Sequence, residues 1–156
     1  MRVSGGDGDL KMELTDQEAG ILRSLLDEMA TLLDADVPED AIKARLFPPA
    51  SEDPQQQATF AELTRSDLEN EKRAAVRDVR EQLGPRGPVV VDLDDDDVGT
   101  WLRLLTDLRL AIGTRLEVTD ETMAAEIDPN DPNAAALSVL HWLGWMTESI
   151  LERTTA

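Results

Sequence analysis

The chain has 156 residues, 41% of them hydrophobic and 31% charged, which suits one domain around a single core and is too apolar for a disordered chain. Its net charge is −18, with ten Lys/Arg against nineteen Asp/Glu in residues 1–84 and five against fourteen in 85–156, so each half contributes −9. Such a surface repels phosphate backbones and anionic lipid head groups, and the lack of cysteine excludes disulfides, thiolate nucleophiles and sulfur-ligated zinc.

Residues 1–9 carry Gly5, Gly6 and Gly8 with Asp7 and Asp9 and read as a mobile start, so a single helical domain is expected over 10–154. Leu10, Met12 and Leu14 alternate with Lys11 and Glu13 as a short half-buried strand. Thr15-x-x-Glu18 is a capping box for a helix whose apolar row is Ile21, Leu22, Leu25, Leu26, Met29, Leu32 and Leu33. A short helix is expected from Pro38 to Leu46, stopped by Pro48-Pro49, and another over 54–64. A second capping box, Ser66-x-x-Glu69, opens a helix to Leu83, and Gly84-Pro85 ends it.

The β-branched run at 89–93 reads as a second strand that pairs with 10–14. Asp94 then caps a helix from Asp95 to about Thr114, carried by Val98, Trp101, Leu102, Leu105, Leu108 and Ile112. Residues 117–131 form an acidic connection. Asp131 caps the last helix, with Pro132 in its first turn and an apolar side that includes Ala136, Val139, Leu140, Trp142, Leu143, Met146 and Ile150. The fold class is therefore mainly α, a single-domain helical bundle with a minor two-stranded β element at about 10–14 and 89–93.

Five features invite a functional reading. Asp92, Asp94 and Asp96 match the first three ligands of a calcium loop, but the turn-glycine position is Asp97 and the closing-glutamate position is Arg103, so no metal is expected. His141, the only histidine, has no carboxylate or nucleophile at i+3 or i+4 and reads as solvated or stacked. Arg73, Arg77 and Arg80 follow one helical flank, yet residues 65–81 hold five basic against five acidic residues, the pattern of an internally paired face. Arg109 falls inside the apolar stripe of its helix and calls for an internal ion pair or a ligand, its partner coming from another helix. Trp145 lies at the edge of the apolar band on the last helix, beside Trp142, and could flank the core or anchor a partner. With no nucleophile elbow and no glycine-rich phosphate loop, neither catalytic residues nor a cofactor are expected.

The segment from Leu105 to Leu116, Leu-Thr-Asp-Leu-Arg-Leu-Ala-Ile-Gly-Thr-Arg-Leu, followed by Val118-Thr119-Asp120, resembles the signature of the actinobacterial oxidative-stress regulator (AosR) family, formerly a domain of unknown function. Ala44-Arg45-Leu46-Phe47-Pro48, Phe60 to Thr64 with Asp67-Leu68 and Lys72, and Trp142 to Ser149 agree with it, so the resemblance runs from about Leu14 to Arg153. It implies a helical cytoplasmic transcriptional regulator that answers oxidative stress by associating with an extracytoplasmic-function sigma factor through cysteine oxidation. Without cysteine the redox element does not carry over, and partner binding remains.

The expected function is that of a non-enzymatic regulatory protein, cytoplasmic, binding a protein partner with a basic surface such as a sigma factor. Arg109, Arg115, Trp145, Trp142 and His141 are the candidate partner-binding or ion-pair residues. Direct DNA binding through the Arg73, Arg77 and Arg80 flank, and an enzyme using Arg109 or Arg115 with carboxylates, are the alternatives. Membrane association is not expected, and a homo-oligomer is compatible with the reading.

Overall fold

A computed structural model describes residues 1–6, 8–34, 46 and 54–154. The described residues form strands β1 (Arg2–Gly6), β2 (Asp9–Leu14) and β3 (Val89–Leu93), and helices α1 (Asp16–Asp34), α2 (Pro54–Leu83), α3 (Asp95–Arg115), α4 (Asp120–Ala124) and α5 (Ala134–Thr154). The fold is mainly α with a small antiparallel sheet in the order β1-β2-β3. The short helix expected from Pro38 to Leu46 lies, apart from Leu46, outside the described residues, as does the Pro48-Pro49 stop.

The β2–β3 pairing follows the sequence pattern. Leu10 faces Leu93, Met12 faces Val91 and Leu14 faces Val89, which puts one apolar face on the helices and leaves Lys11, Glu13, Val90 and Asp92 outside. The sheet gains a third strand where a mobile start was expected. Arg2 to Gly6 pairs antiparallel with Glu13 to Asp9, and the glycines make the hairpin turn rather than a loose end. Gly5 has φ +90°, and a Cβ there would lie 2.1 Å from the carbonyl oxygen of Asp9, so the close return of the chain requires a glycine.

The capping box at the start of α1 forms: the Glu18 amide donates to Thr15 Oγ1 at 3.2 Å and the Thr15 amide donates to Glu18 Oε1 at 2.9 Å. Glu18 Oε2 also accepts from the Met1 ammonium at 2.8 Å. Partial burial pushes the Glu18 carboxyl up, but the ammonium beside it and the Thr15 donors outweigh this and hold it below its ordinary value of 4.5. A lowered folded pKa gives stability that is present above 4.5 and is lost as pH falls through the folded value. Glu18→Gln is expected to flatten the acid side of a Tm-against-pH curve below pH 4.5; an unchanged acid limb would remove this pair from the account.

Residues 54–83 form one helix, not the two expected. No glycine or proline follows Pro54 before Gly84, and a serine inside a helix is only mildly unfavourable, so Ser66 does not break it. Glu69, expected as a capping residue, instead lies 3.5 Å from Arg73 one turn along. At α3 the expected cap is present in full: Asp94 Oδ1 accepts from the Asp97 amide at 2.8 Å and Asp97 Oδ2 from the Asp94 amide at 3.2 Å. Asp94→Ala is expected to lower stability by about 1 kcal/mol, read from urea unfolding. A loss indistinguishable from zero would contradict that role.

The acidic connection after α3 contains α4, capped by Thr119, whose Oγ1 accepts from the Thr122 amide. The last helix starts later than expected. Asp131 accepts from the Asn133 amide in a turn, and helical structure begins at Ala134. One cluster of buried side chains joins the sheet to α1, α2, α3 and α5, with Leu10, Met12, Leu22, Leu26, Trp101, Leu105, Leu143, Met146 and Ile150 among its most enclosed members.

Candidate functional site

Helices α1 and α2 run antiparallel, and each sends an arginine to the end of the other. Arg23, on the buried row Ala19, Leu22, Leu26, Met29 and Leu33 of α1, is only 7% exposed. Its Nη2 donates to the carbonyls of Leu83 and Gly87 at 2.8 and 2.9 Å, and Nε to that of Gly84 at 2.9 Å. A cation on carbonyls at a helix C-terminus satisfies acceptors that lack intrahelical partners and complements the helix dipole. At the opposite end Arg73 of α2 donates through Nη2 to the Leu33 carbonyl at 2.8 Å and through Nε to Asp34 at 2.9 Å. Arg80 lies 3.5 Å from Asp27 between them.

The flank proposed for DNA is therefore largely turned inward. Arg73 and Arg80 face α1, and Arg77, paired with Asp78 at 3.8 Å, is the one of the three that remains well exposed.

The ion pair expected of Arg109 occurs elsewhere. Lys72 of α2 meets Asp107 of α3 at 2.8 Å, with both side chains mostly enclosed. Arg109 has no ion pair among the described residues, and its buried Nε has no hydrogen-bond partner. The buried row of α3, Val98, Trp101, Leu104, Leu105, Leu108, Ala111 and Ile112, is centred toward Trp101 and Leu108, so Arg109 sits on its flank. Its guanidinium lies against α5 at Gly144, where an added Cβ would be 3.5 Å from Nη2.

Arg109 lines a groove of about 470 Å³ together with Leu110, Glu117, Val118, Met123 and Leu140. Glu117 is the one described non-glycine residue with positive φ, at 54°. It follows the Leu116 C-cap of α3, with its amide donating to the Thr114 carbonyl at 3.2 Å and the Val118 amide donating to that of Gly113 at 2.9 Å. That paired closure normally takes glycine at the left-handed position. Gly84 supplies it at the end of α2, with φ +69°.

The other singled-out residues do not converge on the groove. Arg115 pairs loosely with Glu28 at 3.7 Å, both exposed. Trp145 is 52% exposed, whereas Trp142 packs partly against the core. His141 is half-buried, with an enclosed Nε2 that makes no hydrogen bond. In the acidic run Asp94 and Asp97 cap α3, and Asp95 Oδ1 accepts from the Gly8 amide at 3.1 Å. Among the described residues no group of three His, Asp or Glu is placed to hold a metal, and no helix is long and apolar enough to cross a membrane.

A family model described as Domain of unknown function (DUF2017) matches residues 1–154. The chain belongs to that family. No curated protein and no solved structure matches it. In this DUF2017 chain the groove is lined largely by the 105–120 segment: Thr106, Arg109, Leu110, Gly113, Thr114, Glu117 and Val118 all face it.

Glu117→Gly is expected to raise stability by about 0.5–1 kcal/mol, since the left-handed backbone costs a side-chain-bearing residue about that much. The measurement is a urea midpoint. A midpoint that falls would show that the Glu117 side chain makes a stabilising contact outweighing its backbone strain.

Proposed function

We propose that this DUF2017 protein is a non-enzymatic regulator that works in the cytoplasm by binding a protein with a basic surface, a sigma factor being the leading type of partner. The supporting observation is where its positive charge goes. Of a small basic complement, Arg23 is buried on carbonyls, Lys72 is paired with Asp107, and Arg73 and Arg80 bind the α1 side. The outward field of a chain with 33 acidic against 15 basic residues is therefore strongly negative, and such a field steers and orients basic partners.

Resemblance to the AosR family adds the transcriptional setting. The absence of cysteine means that regulation here works through binding or abundance rather than thiol oxidation. Trp145, exposed on α5, is the aromatic best placed to anchor a contact.

The test is a low-salt pull-down from an actinobacterial lysate with the full chain as bait. Recovery of a sigma factor, released by raised salt and lost with Trp145→Ala, is expected. Absence of any transcription component would overturn the reading. A gel shift with the protein's own promoter is expected to show no retardation, because Arg73 and Arg80 of the flank that could meet phosphates are engaged with α1, leaving Arg77 alone well exposed on it.

A further inference from the structure

The groove between α3, α4 and α5 holds two features that partner binding through an acidic surface does not use. The first is Arg109. Unlike the exposed Arg2, Arg86, Arg103 and Arg153, it is half-buried, yet its enclosed Nε has no acceptor and no ion pair forms among the described residues. A partly desolvated cation without a partner is unfavourable for the free protein. The second is Glu117, which holds a left-handed backbone suited to glycine and lines the same groove.

Leu110, Val118, Met123 and Leu140 supply apolar lining beside Arg109. The volume, about 470 Å³, is that of a small-molecule site.

We infer that this groove is a binding site for a small monocarboxylate with an apolar body. The carboxylate pairs with the guanidinium of Arg109, whose planar fork presents parallel donors. The apolar body displaces water from Leu110, Val118, Met123 and Leu140. Glu117 places a negative charge in the same groove and so disfavours a second carboxylate or a phosphate on the ligand. The site stands independently of the protein partner, so failure of either reading leaves the other intact.

The experiment is NMR of the full chain, following the arginine Nε–H signals by proton–nitrogen correlation and the Met123 methyl by proton–carbon correlation. Hexanoate is the probe, with succinate and inorganic phosphate as contrasts. Hexanoate is expected to shift the Arg109 and Met123 signals saturably and to bind more tightly than either contrast. Arg109→Met keeps the apolar stem and removes the donors, and is expected to weaken hexanoate about tenfold or more. Should that variant not fold, Arg109→Lys, which keeps the charge and loses the fork, is expected to weaken it as well. Glu117→Gln is expected to narrow the gap between succinate and hexanoate. No saturable shift at Arg109, phosphate binding as tightly as hexanoate, or equal hexanoate affinity in a folded Arg109 variant would overturn the inference.

Discussion

Replacing Arg23 by alanine is expected to lower stability by about 3 kcal/mol or more, because a charged donor group leaves three carbonyls and a buried stem leaves a gap. For a chain of this size that is a fall of about 6–12 °C in Tm. Arg23→Met separates the two contributions. It keeps most of the apolar stem, so any loss it shows belongs to the unpaired carbonyls of Leu83, Gly84 and Gly87. Arg23→Lys is expected to lie between wild type and Met, since one ammonium cannot reach all three acceptors in the arginine's geometry. Thermal unfolding of the series checks this. An alanine variant within about 0.5 kcal/mol of wild type would mean that the α2 terminus is held by something else.

Trp101→Ala is expected to be about as damaging, at roughly 3–5 kcal/mol, through loss of a large buried side chain. The indole is 1% exposed at the centre of the cluster that joins the sheet to the helices. Its Nε1 donates to Gln82 Oε1 at 2.8 Å, linking α3 to α2. Trp101→Phe keeps an aromatic ring, loses that hydrogen bond and is expected to cost about 1–2 kcal/mol. Denaturant unfolding followed by far-ultraviolet circular dichroism distinguishes them, and equal losses for Phe and Ala would contradict the division.

The elements that could be read from sequence are those whose signal is local. Alternation in β2, the β-branched run of β3 and the Asp94 box at α3 each state their own conformation within a few residues. Even the pairing of β2 with β3 was accessible, because two short half-buried strands in a helical chain have few other ways to satisfy their backbones. Strand β1 was not. Its glycines look the same in a mobile tail and in a tight hairpin, and only the partner β2 decides between them. The break expected near residue 65 came from overvaluing a capping motif with no helix breaker beside it.

The candidate site shows the same division. Arg109 was singled out as lying inside an apolar stripe, the structure sets it on the flank of that row beside a groove, and its lack of a partner among the described residues could be known only in three dimensions. Arg23 carried an equally strong signal. It sits between Ala19, Leu22, Leu26 and Met29 in the buried row of α1, and a row centred toward Leu26 rather than Met29 would have included it. The strain at Glu117 had no sequence signal, because a glutamate after a helix announces nothing about φ.

Titration of the purified chain with a purified sigma factor, at low and at high salt, decides whether its acidic surface binds such a partner. Saturable binding is expected at low salt, weakening steeply as salt is raised and further with Trp145→Ala. Binding that is absent at low salt, or unchanged by salt, would contradict that role.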